Sequence, residues 1–198
     1  MAKGSKCPHC GAPVAAAEPI CLACGKIQPP PPAGARPDKF ATLGFDPSFD
    51  EPDGLDERFR ALSRKMHPDR FVRATAQERR YSLEQTTRLN EAYKTLKDPV
   101  RRAEHLLQLR GIKGDPKMSA EFLEQTMEDR EKLLEAKVSG QPLDALASGV
   151  REKRDQTLRE VRNLVENGGD LSHAAELLAR MRYYARYLDE VEGRSVEL

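Results

Sequence analysis

The apolar positions of residues 55–66 and of residues 74–97 repeat with the period of an α-helix. In the first stretch they are Leu55, Phe59, Leu62 and Met66, and in the second Leu89, Ala92, Tyr93 and Leu96. Each stretch therefore predicts a helix that buries one face. Pro68 disfavours a helical backbone at His67, so the first helix should end there. The pattern indicates two antiparallel helices joined by a loop that begins with His67, Pro68 and Asp69.

Short elements flank this predicted hairpin. Residues 40–47 predict a short helix that ends at Gly44. Three of its apolar side chains would plug the hairpin: Phe40, Leu43 and Phe45. Asp98 and Pro99 should stop the second long helix, because proline cannot continue a helix.

The helical period continues through the second half of the chain. A short helix should end at Gly111, and longer helices are predicted over residues 120–138 and 143–165. The last helix carries a heptad seam of Leu171, Ala174, Leu178, Met181, Ala185 and Leu188. Three helices with short breaks predict an antiparallel bundle. The predicted fold class is all-α: a helical hairpin followed by a three-helix bundle.

Some apolar and aromatic residues exceed what the bundle core requires. In residues 120–138, Phe122 and Leu133 should face the core. A second strip should face outward beside a row of acids: Leu123, Met127, Leu134 and Val138, with Glu124, Glu128, Glu131 and Glu135. This apolar ridge edged by acid would suit a basic partner, although acidic faces are often merely solvated. Tyr183 and Tyr187 form an outward pair on the last helix, which favours an interface or simple packing.

Composition narrows the functional classes. Charged residues make up 33% of the 198 residues and hydrophobic residues 38%, with a net charge of +1. Such a balance gives no overall field that would attract nucleic acid or a membrane. No apolar run is long enough for a transmembrane helix, and the first residues lack the pattern of a signal or transit peptide. We therefore expect a cytoplasmic protein.

Four cysteines near the start form two Cys-x-x-Cys-Gly pairs: Cys7 with Cys10, and Cys21 with Cys24. In the cytoplasm thiols stay reduced, so this spacing favours a metal site over disulfides. Four thiolates suit zinc first and iron second. A tail with free thiols or a redox-active pair are the weaker alternatives. Residues 1–28 therefore predict a small zinc-ribbon-like module, and residues 29–37 a proline-rich linker.

The predicted hairpin carries charge suited to docking rather than to catalysis. Arg60 and Arg64, with Lys65 at the edge, present cations to an acidic surface on a partner. Neither a nucleophile–base set nor a phosphate-binding glycine loop is found, so an enzyme is not predicted. The plain alternative is a capped loop between two helices with a solvated basic face.

Two helices joined by a loop of His67, Pro68 and Asp69, with basic residues on the first, resemble a J-domain. That family stimulates ATP hydrolysis by chaperones of the DnaK type. The resemblance implies an allosteric activator whose catalytic groups all lie in the partner. The chaperone-binding residues would be His67, Pro68, Asp69, Arg60, Arg64, Lys65 and Arg70.

Residues 102–111, 122–123 and 130–135 are similar to HscB, a family of J-protein co-chaperones in iron–sulfur cluster assembly. The likeness runs from about Asp38 to the carboxy terminus. It implies a J-domain over residues 38–111 and a bundle over 112–198 that binds the scaffold protein IscU for delivery to HscA, a DnaK-type chaperone. The scaffold contacts would be Leu123, Met127, Glu128, Glu131, Glu135 and Tyr183. Glu124 departs from the family pattern, which is usually apolar there.

Two other functions remain open from the sequence. One is a general J-domain co-chaperone whose client is selected by the zinc module. The other is nucleic-acid binding by that module, for which only Lys3, Lys6 and Lys26 supply charge and no aromatic residue supplies stacking. The leading expectation is therefore a co-chaperone without nucleic-acid or membrane partners.

Overall fold

A computed structural model describes residues 5–15, 17–32, 38–112, 114 and 116–193. Its helices are α1 (Lys39–Leu43), α2 (Leu55–Met66), α3 (Ala76–Lys97), α4 (Pro99–Leu109), α5 (Ala120–Ser139), α6 (Asp144–Glu166) and α7 (Leu171–Val191). A 3₁₀ helix spans Pro68–Phe71, and the antiparallel strands β1 (Ser5–Lys6) and β2 (Pro13–Val14) form a small sheet. The predicted all-α class is confirmed. Among the described helices, none combines the length and apolarity needed to span a bilayer.

The chain divides into two units, Met1–Leu106 and Leu107–Leu198. In the first unit, α1 packs against the hairpin of α2 and α3. Their shared core is Phe40, Leu43, Leu55, Leu62, Met66, Leu89, Ala92 and Leu96, with Phe45, Phe59 and Tyr93 packed against it. The predicted plug of the hairpin is therefore confirmed. The part of the predicted proline-rich linker at residues 33–37 lies outside the described residues.

Local signals set the ends of the two hairpin helices. His67 has an extended ψ of 130°, so α2 ends at Met66 as the proline predicts. The third helix begins at Ala76 rather than at residue 74, because Thr75 caps it. The hydroxyl of Thr75 accepts the Glu78 N–H at 3.2 Å, and a Glu78 carboxylate oxygen accepts the Thr75 N–H at 3.1 Å. This capping box satisfies backbone donors that the first helical turn leaves unpaired.

A buried histidine ties α4 back to α1. Nε2 of His105 accepts the backbone N–H of Lys39 at 2.9 Å, and the imidazole stacks on Phe40 with centroids 5.9 Å apart. Arg102, also buried, donates from Nε to the carbonyl of Phe49 at 2.8 Å. The first turns of α4 therefore complete the hairpin unit.

The second unit is a three-helix bundle in which α7 packs against both α5 and α6. Buried apolar residues come from all three helices, among them Phe122, Leu133, Ala147, Val150, Val161, Val165, Ala174, Leu177, Leu178, Met181 and Leu188. The predicted heptad seam is wrong at Ala185, which is exposed, while Tyr184 is only 5% exposed. The ring of Tyr184 packs edge-on against Phe122 at 6.0 Å. Burial of the Tyr184 ring removes more apolar surface from water than burial of the Ala185 methyl group would. The buried face of α7 is therefore turned toward α5.

Adjacent leucines of α5 give a direct test of this packing. Leu133 is fully buried and Leu134 is 51% exposed. Leu133→Ala should lower the free energy of unfolding of the bundle by about 2–5 kcal/mol, because it removes buried methyl groups and leaves a cavity. Leu134→Ala, the matched control, should change it by less than about 0.5 kcal/mol. Urea unfolding followed by circular dichroism measures both, and equal losses would contradict the assigned faces of α5.

Candidate functional sites

The loop between α2 and α3 is open to solvent. The side chains of His67 and Asp69 are 52% and 86% exposed. Nδ1 of His67 accepts the Asp69 N–H at 3.3 Å and lies 3.4 Å from a carboxylate oxygen of the same residue. The hydrogen bond to the Asp69 N–H holds the imidazole near the carboxylate, and both side chains stay accessible to another protein.

The second helix presents its cations on two faces. Arg60 and Arg64 are exposed, and Arg70 lies beside them because its guanidinium donates to the Arg64 carbonyl at 3.3 Å. Lys65 lies on another face, where its ammonium is 3.0 Å from a carboxylate oxygen of Glu18. The structure thus brings three of the predicted docking cations together. It separates Lys65, which the helical pattern predicts at the edge of the same patch.

Two copies of one backbone turn carry the four cysteines. The N–H of Gly11 donates to the Cys7 carbonyl, and the N–H of Gly25 to the Cys21 carbonyl, each at 2.8 Å. Both glycines have positive φ, 73° and 71°, which glycine adopts without a steric penalty. Strands β1 and β2 flank the first turn, and an isolated β-bridge flanks the second. Each turn therefore aims two thiols to the same side.

The four sulfur atoms form one cluster. Sγ atoms of Cys7, Cys10, Cys21 and Cys24 all lie within 4.8 Å of one another. The pairs Cys7–Cys24 and Cys10–Cys21 are each 3.7 Å apart. Four thiolates at ~2.3 Å from a tetrahedral ion would stand about 3.8 Å apart. The donor set therefore fits a single metal ion.

The surroundings of Cys7 favour its charged form. Burial raises the pKa of its thiol, but hydrogen bonds outweigh this and bring the pKa to about 6; the donors are the backbone groups of Cys10 and His9 and the side chain of Gln28. The Gln28 amide lies 3.5 Å from the sulfur. Because the thiolate is the form that binds metals, this environment is suited to a ligand.

The outer strip of α5 is exposed as the helical pattern predicts. Leu123 is 49% exposed, Met127 67%, Leu134 51% and Val138 89%. The four flanking glutamates, Glu124, Glu128, Glu131 and Glu135, are exposed as well. Phe122 and Leu133, by contrast, are buried. The structure thus contains an apolar ridge edged by carboxylates, which we call the α5 ridge.

The two tyrosines of α7 occupy different environments. Tyr183 is half-buried; its hydroxyl donates to the Thr126 carbonyl at 3.0 Å, and its ring packs edge-on against Phe122 at 5.8 Å. This contact lies along α5 next to Met127. Tyr187 is only 4% exposed, so the prediction of an outward pair is wrong for this residue. Tyr187 lies one helical turn from Tyr183, and the two rings pack in the same aromatic cluster. The helical period alone does not predict this contact.

Sequence reasoning missed the ion pairs that join the cysteine module to the hairpin. Glu18 binds Arg58 at 3.1 Å in addition to Lys65, and Lys26 lies 2.8 Å from Glu78. The spacing of Thr75 and Glu78 could have revealed the capping box. Ion pairs between residues far apart in the chain leave no periodic signal in the sequence. The contacts of Glu18 and Lys26 therefore could not be predicted.

Two family models match the chain. Residues 38–105 match the DnaJ domain, and residues 118–192 match the HSCB C-terminal oligomerisation domain. The first match contains the exposed loop, and the second contains the α5 ridge. Both candidate surfaces thus lie in segments that belong to known families.

Curated relatives and solved structures agree with these matches. A co-chaperone protein HscB homolog of Shewanella baltica is 36% identical over 162 residues, covering 77% of this chain and 93% of that protein. The corresponding protein of Burkholderia thailandensis is 36% identical over 156 residues, covering 76% and 87%. The crystal structure of human co-chaperone protein HscB matches with a TM-score of 0.81 and 30% identity, covering 98% of this chain and 100% of that one. Chaperone HscB from Vibrio cholerae matches with a TM-score of 0.71 and 33% identity, covering 78% and 95%.

The cysteine cluster predicts metal binding that depends on every thiolate. Cys24→Ser replaces a thiolate ligand with a hydroxyl and should weaken metal binding strongly. Loss of a residue that only supports a ligand costs ~10–100-fold in affinity, and loss of the ligand itself should cost more. Elemental analysis and competition with a chelator measure the content and affinity. His9→Ala is the control and should bind as the unaltered chain does, since His9 is exposed and contributes no atom to the cluster. An unchanged affinity in Cys24→Ser would contradict the assignment.

Proposed function

This chain belongs to the HscB family of J-domain co-chaperones, which are not enzymes, and we propose that it serves iron–sulfur cluster assembly. It stimulates ATP hydrolysis by a DnaK-type chaperone of the HscA kind and presents to it a scaffold protein of the IscU kind. The observation that carries the proposal is the exposed His67–Asp69 loop on a J-domain, followed in the same chain by an exposed ridge in the HscB bundle.

The chaperone contact is proposed at the loop and the adjacent basic face. His67, Pro68 and Asp69 would engage the partner, and Arg60, Arg64 and Arg70 would orient it through an acidic surface. Such contacts raise the association rate and weaken with salt. A J-domain that binds one conformation of the ATPase better than the other shifts its equilibrium, so no catalytic group is needed in this chain.

Lys65 takes a different place in the proposal. Its ammonium already pairs with Glu18, and its side chain is 40% exposed. A partner carboxylate would therefore compete with a carboxylate of the same chain. We assign Lys65 a smaller contribution to chaperone binding than Arg60 and Arg64.

The scaffold contact is proposed at the α5 ridge. Leu123 and Met127 supply apolar surface, and Glu128, Glu131 and Glu135 supply charge for a basic partner. Tyr183 would contribute partly by supporting α5, because its hydroxyl donates to the backbone carbonyl of Thr126 on that helix. Central apolar contacts surrounded by polar ones are the usual arrangement of binding hot spots.

Zinc is the metal proposed for the cysteine cluster. A donor set of four thiolates is characteristic of structural zinc, and in the cytoplasm proposed for this protein the thiols stay reduced. The ion would link Cys7 and Cys10 to Cys21 and Cys24 and so close two short turns. The module has a buried core of few residues, so metal binding would supply much of its folding free energy.

A second candidate is a general J-domain co-chaperone whose client is chosen by the metal module. Leu22, between two metal-binding cysteines, is 85% exposed and favours an additional contact there. The two candidates differ in the captured client. Recovery of unfolded chains without an IscU-type scaffold, lost in Leu22→Ser, would favour the second.

The loop assignment predicts a loss of stimulation without a loss of scaffold binding. His67→Gln should reduce the ATPase rate of the DnaK-type chaperone to its unstimulated level, because the imidazole beside Asp69 is removed from the contact. A single-turnover ATPase assay measures it. His173→Gln, on α7, is the matched control and should stimulate fully. Equal stimulation by both variants would exclude the loop from the mechanism.

The ridge assignment predicts the opposite separation. A Leu123→Ala, Met127→Ala double variant should raise the Kd for the IscU-type scaffold by about tenfold or more, because hot-spot truncations cost over ~1 kcal/mol each. Titration calorimetry gives the Kd, and stimulation of the free ATPase should persist. Leu83→Ala removes an exposed leucine of α3 and is the control. An unchanged Kd in the double variant would remove the ridge from the interface.

A further inference from the structure

The cysteine module contacts the hairpin immediately before the exposed loop. Both carboxylate oxygens of Glu18 are engaged: one lies 3.1 Å from the Arg58 guanidinium and the other 3.0 Å from the Lys65 ammonium. Arg58 also donates to the carbonyl of Ala17 at 3.4 Å. Lys65 stands just ahead of Met66 and His67, so this contact is made where α2 gives way to the loop.

The module contacts the hairpin again immediately after the loop. The ammonium of Lys26 lies 2.8 Å from one carboxylate oxygen of Glu78. The other oxygen accepts the backbone N–H of Thr75 at 3.1 Å and its hydroxyl at 2.8 Å. The ion pair with Lys26, together with the Thr75 bonds, lowers the pKa of Glu78 to about 2. Lys26 therefore holds Glu78, the residue that completes the capping box of α3 with Thr75.

Outside the module, the hairpin anchors the loop mainly at its start, where the Met66 carbonyl accepts the Ser82 hydroxyl at 2.5 Å and the Thr86 hydroxyl at 3.3 Å. Further along, Arg70 donates to the Arg64 carbonyl and the Ala74 N–H to the Phe71 carbonyl, and the remaining bonds are short and local. Within it, Asp69 N–H reaches the His67 imidazole at 3.3 Å and Arg70 N–H reaches the His67 carbonyl at 3.0 Å. Every side chain of the 3₁₀ helix Pro68–Phe71 is at least partly exposed to solvent. Segments with few buried contacts open with small free energies, so contacts at their ends have a large share in their order.

The contacts made by Glu18 and Lys26 depend on the cysteine turns. Lys26 follows Cys24 and Gly25, and its carbonyl accepts the Cys21 N–H at 2.9 Å. Glu18 lies on the segment that joins the two turns. The buried residues that cluster at the centre of the module are Cys7, Val14 and Cys21, so two of these three are metal-site cysteines. The same thiols that would bind the ion therefore also keep Glu18 and Lys26 in place.

We propose that Glu18 and Lys26 are positioning residues through which the metal-loaded module holds the two helix ends that flank the loop between α2 and α3, and so keeps His67 and Asp69 in the conformation that the chaperone binds. The proposal rests on the proposed function of the loop. It gives the amino-terminal module a role in the chaperone contact without any direct contact to the chaperone. Metal loss would loosen the loop while leaving the hairpin core intact.

Amide hydrogen exchange of the full-length, zinc-loaded protein tests the proposal without a partner. Lys26→Met should accelerate exchange at Glu78 and Arg79, whose N–H groups bond to Thr75, by about threefold, a size expected for a partly exposed ion pair. Glu18→Gln should do the same at Arg70. Lys26→Arg keeps the charge and should match the unaltered chain, as should Lys6→Met, which removes an exposed cation of the same module.

Chelation separates a metal-dependent role from a local one. After zinc removal the unaltered chain and Lys26→Met should exchange at the same, faster rate, because Lys26 no longer has a fixed position. Unchanged exchange in Lys26→Met before chelation would overturn the proposal. A difference that persists after chelation would also overturn it, since Lys26 would then act without the metal.

An ATPase titration links the loop to the chaperone. The concentration of Lys26→Met needed for half-maximal stimulation of a DnaK-type chaperone should rise by about twofold, because a smaller fraction of the protein is competent to bind. An unchanged half-maximal concentration would overturn the proposal. A lower half-maximal concentration would overturn it too, because the module would then shield the loop from the chaperone. Full stimulation by His67→Gln would instead reject the proposed function, and the exchange data would still decide whether the module holds the loop.

Discussion

Pro68 crowds the residue before it and has no amide hydrogen, and these two properties govern the hairpin tip. His67 is held in an extended conformation, so α2 stops at Met66 and the chain turns at once into a 3₁₀ helix. A helix that continued would carry His67 away from α3. Because the turn is forced at this point, the polar side chains of the tip project into solvent while the apolar residues on both sides pack into one core.

The near-neutral charge of the chain conceals two surfaces of opposite sign. Cations gather at the tip around Arg60 and Arg64, whereas Glu128 and Glu131 edge the apolar ridge. The two surfaces lie in different units of the chain. An acidic partner and a basic partner would therefore be sorted by charge as well as by shape, because like charges oppose the wrong encounter.

The parts of the structure that periodicity governs were predictable from the sequence. Residues 55–66 form a helix with the predicted bounds, and the inward and outward faces of α5 are as expected, because spacing along one helix decides both. The environment of Tyr187 and the partner of Lys65 were not predictable. Each depends on a contact between segments far apart in the chain, and no local pattern records which side chains meet there. The spacing of the cysteines did indicate one cluster, since two identical Cys-x-x-Cys-Gly turns can each direct two thiols toward the same ion.

The bond between His105 and the backbone of Lys39 makes the hairpin unit sensitive to acid. It exists only while Nε2 carries no proton. Burial lowers the pKa of His105 below its ordinary value of 6.5, although the nearby Asp38 carboxylate acts in the opposite direction. The contribution of this group to stability is therefore complete above that value and declines as the pH falls below it, because the unfolded chain then takes up a proton that the folded one resists. Acidification would therefore weaken, through this one group, the link between the first helix of the J-domain and α4.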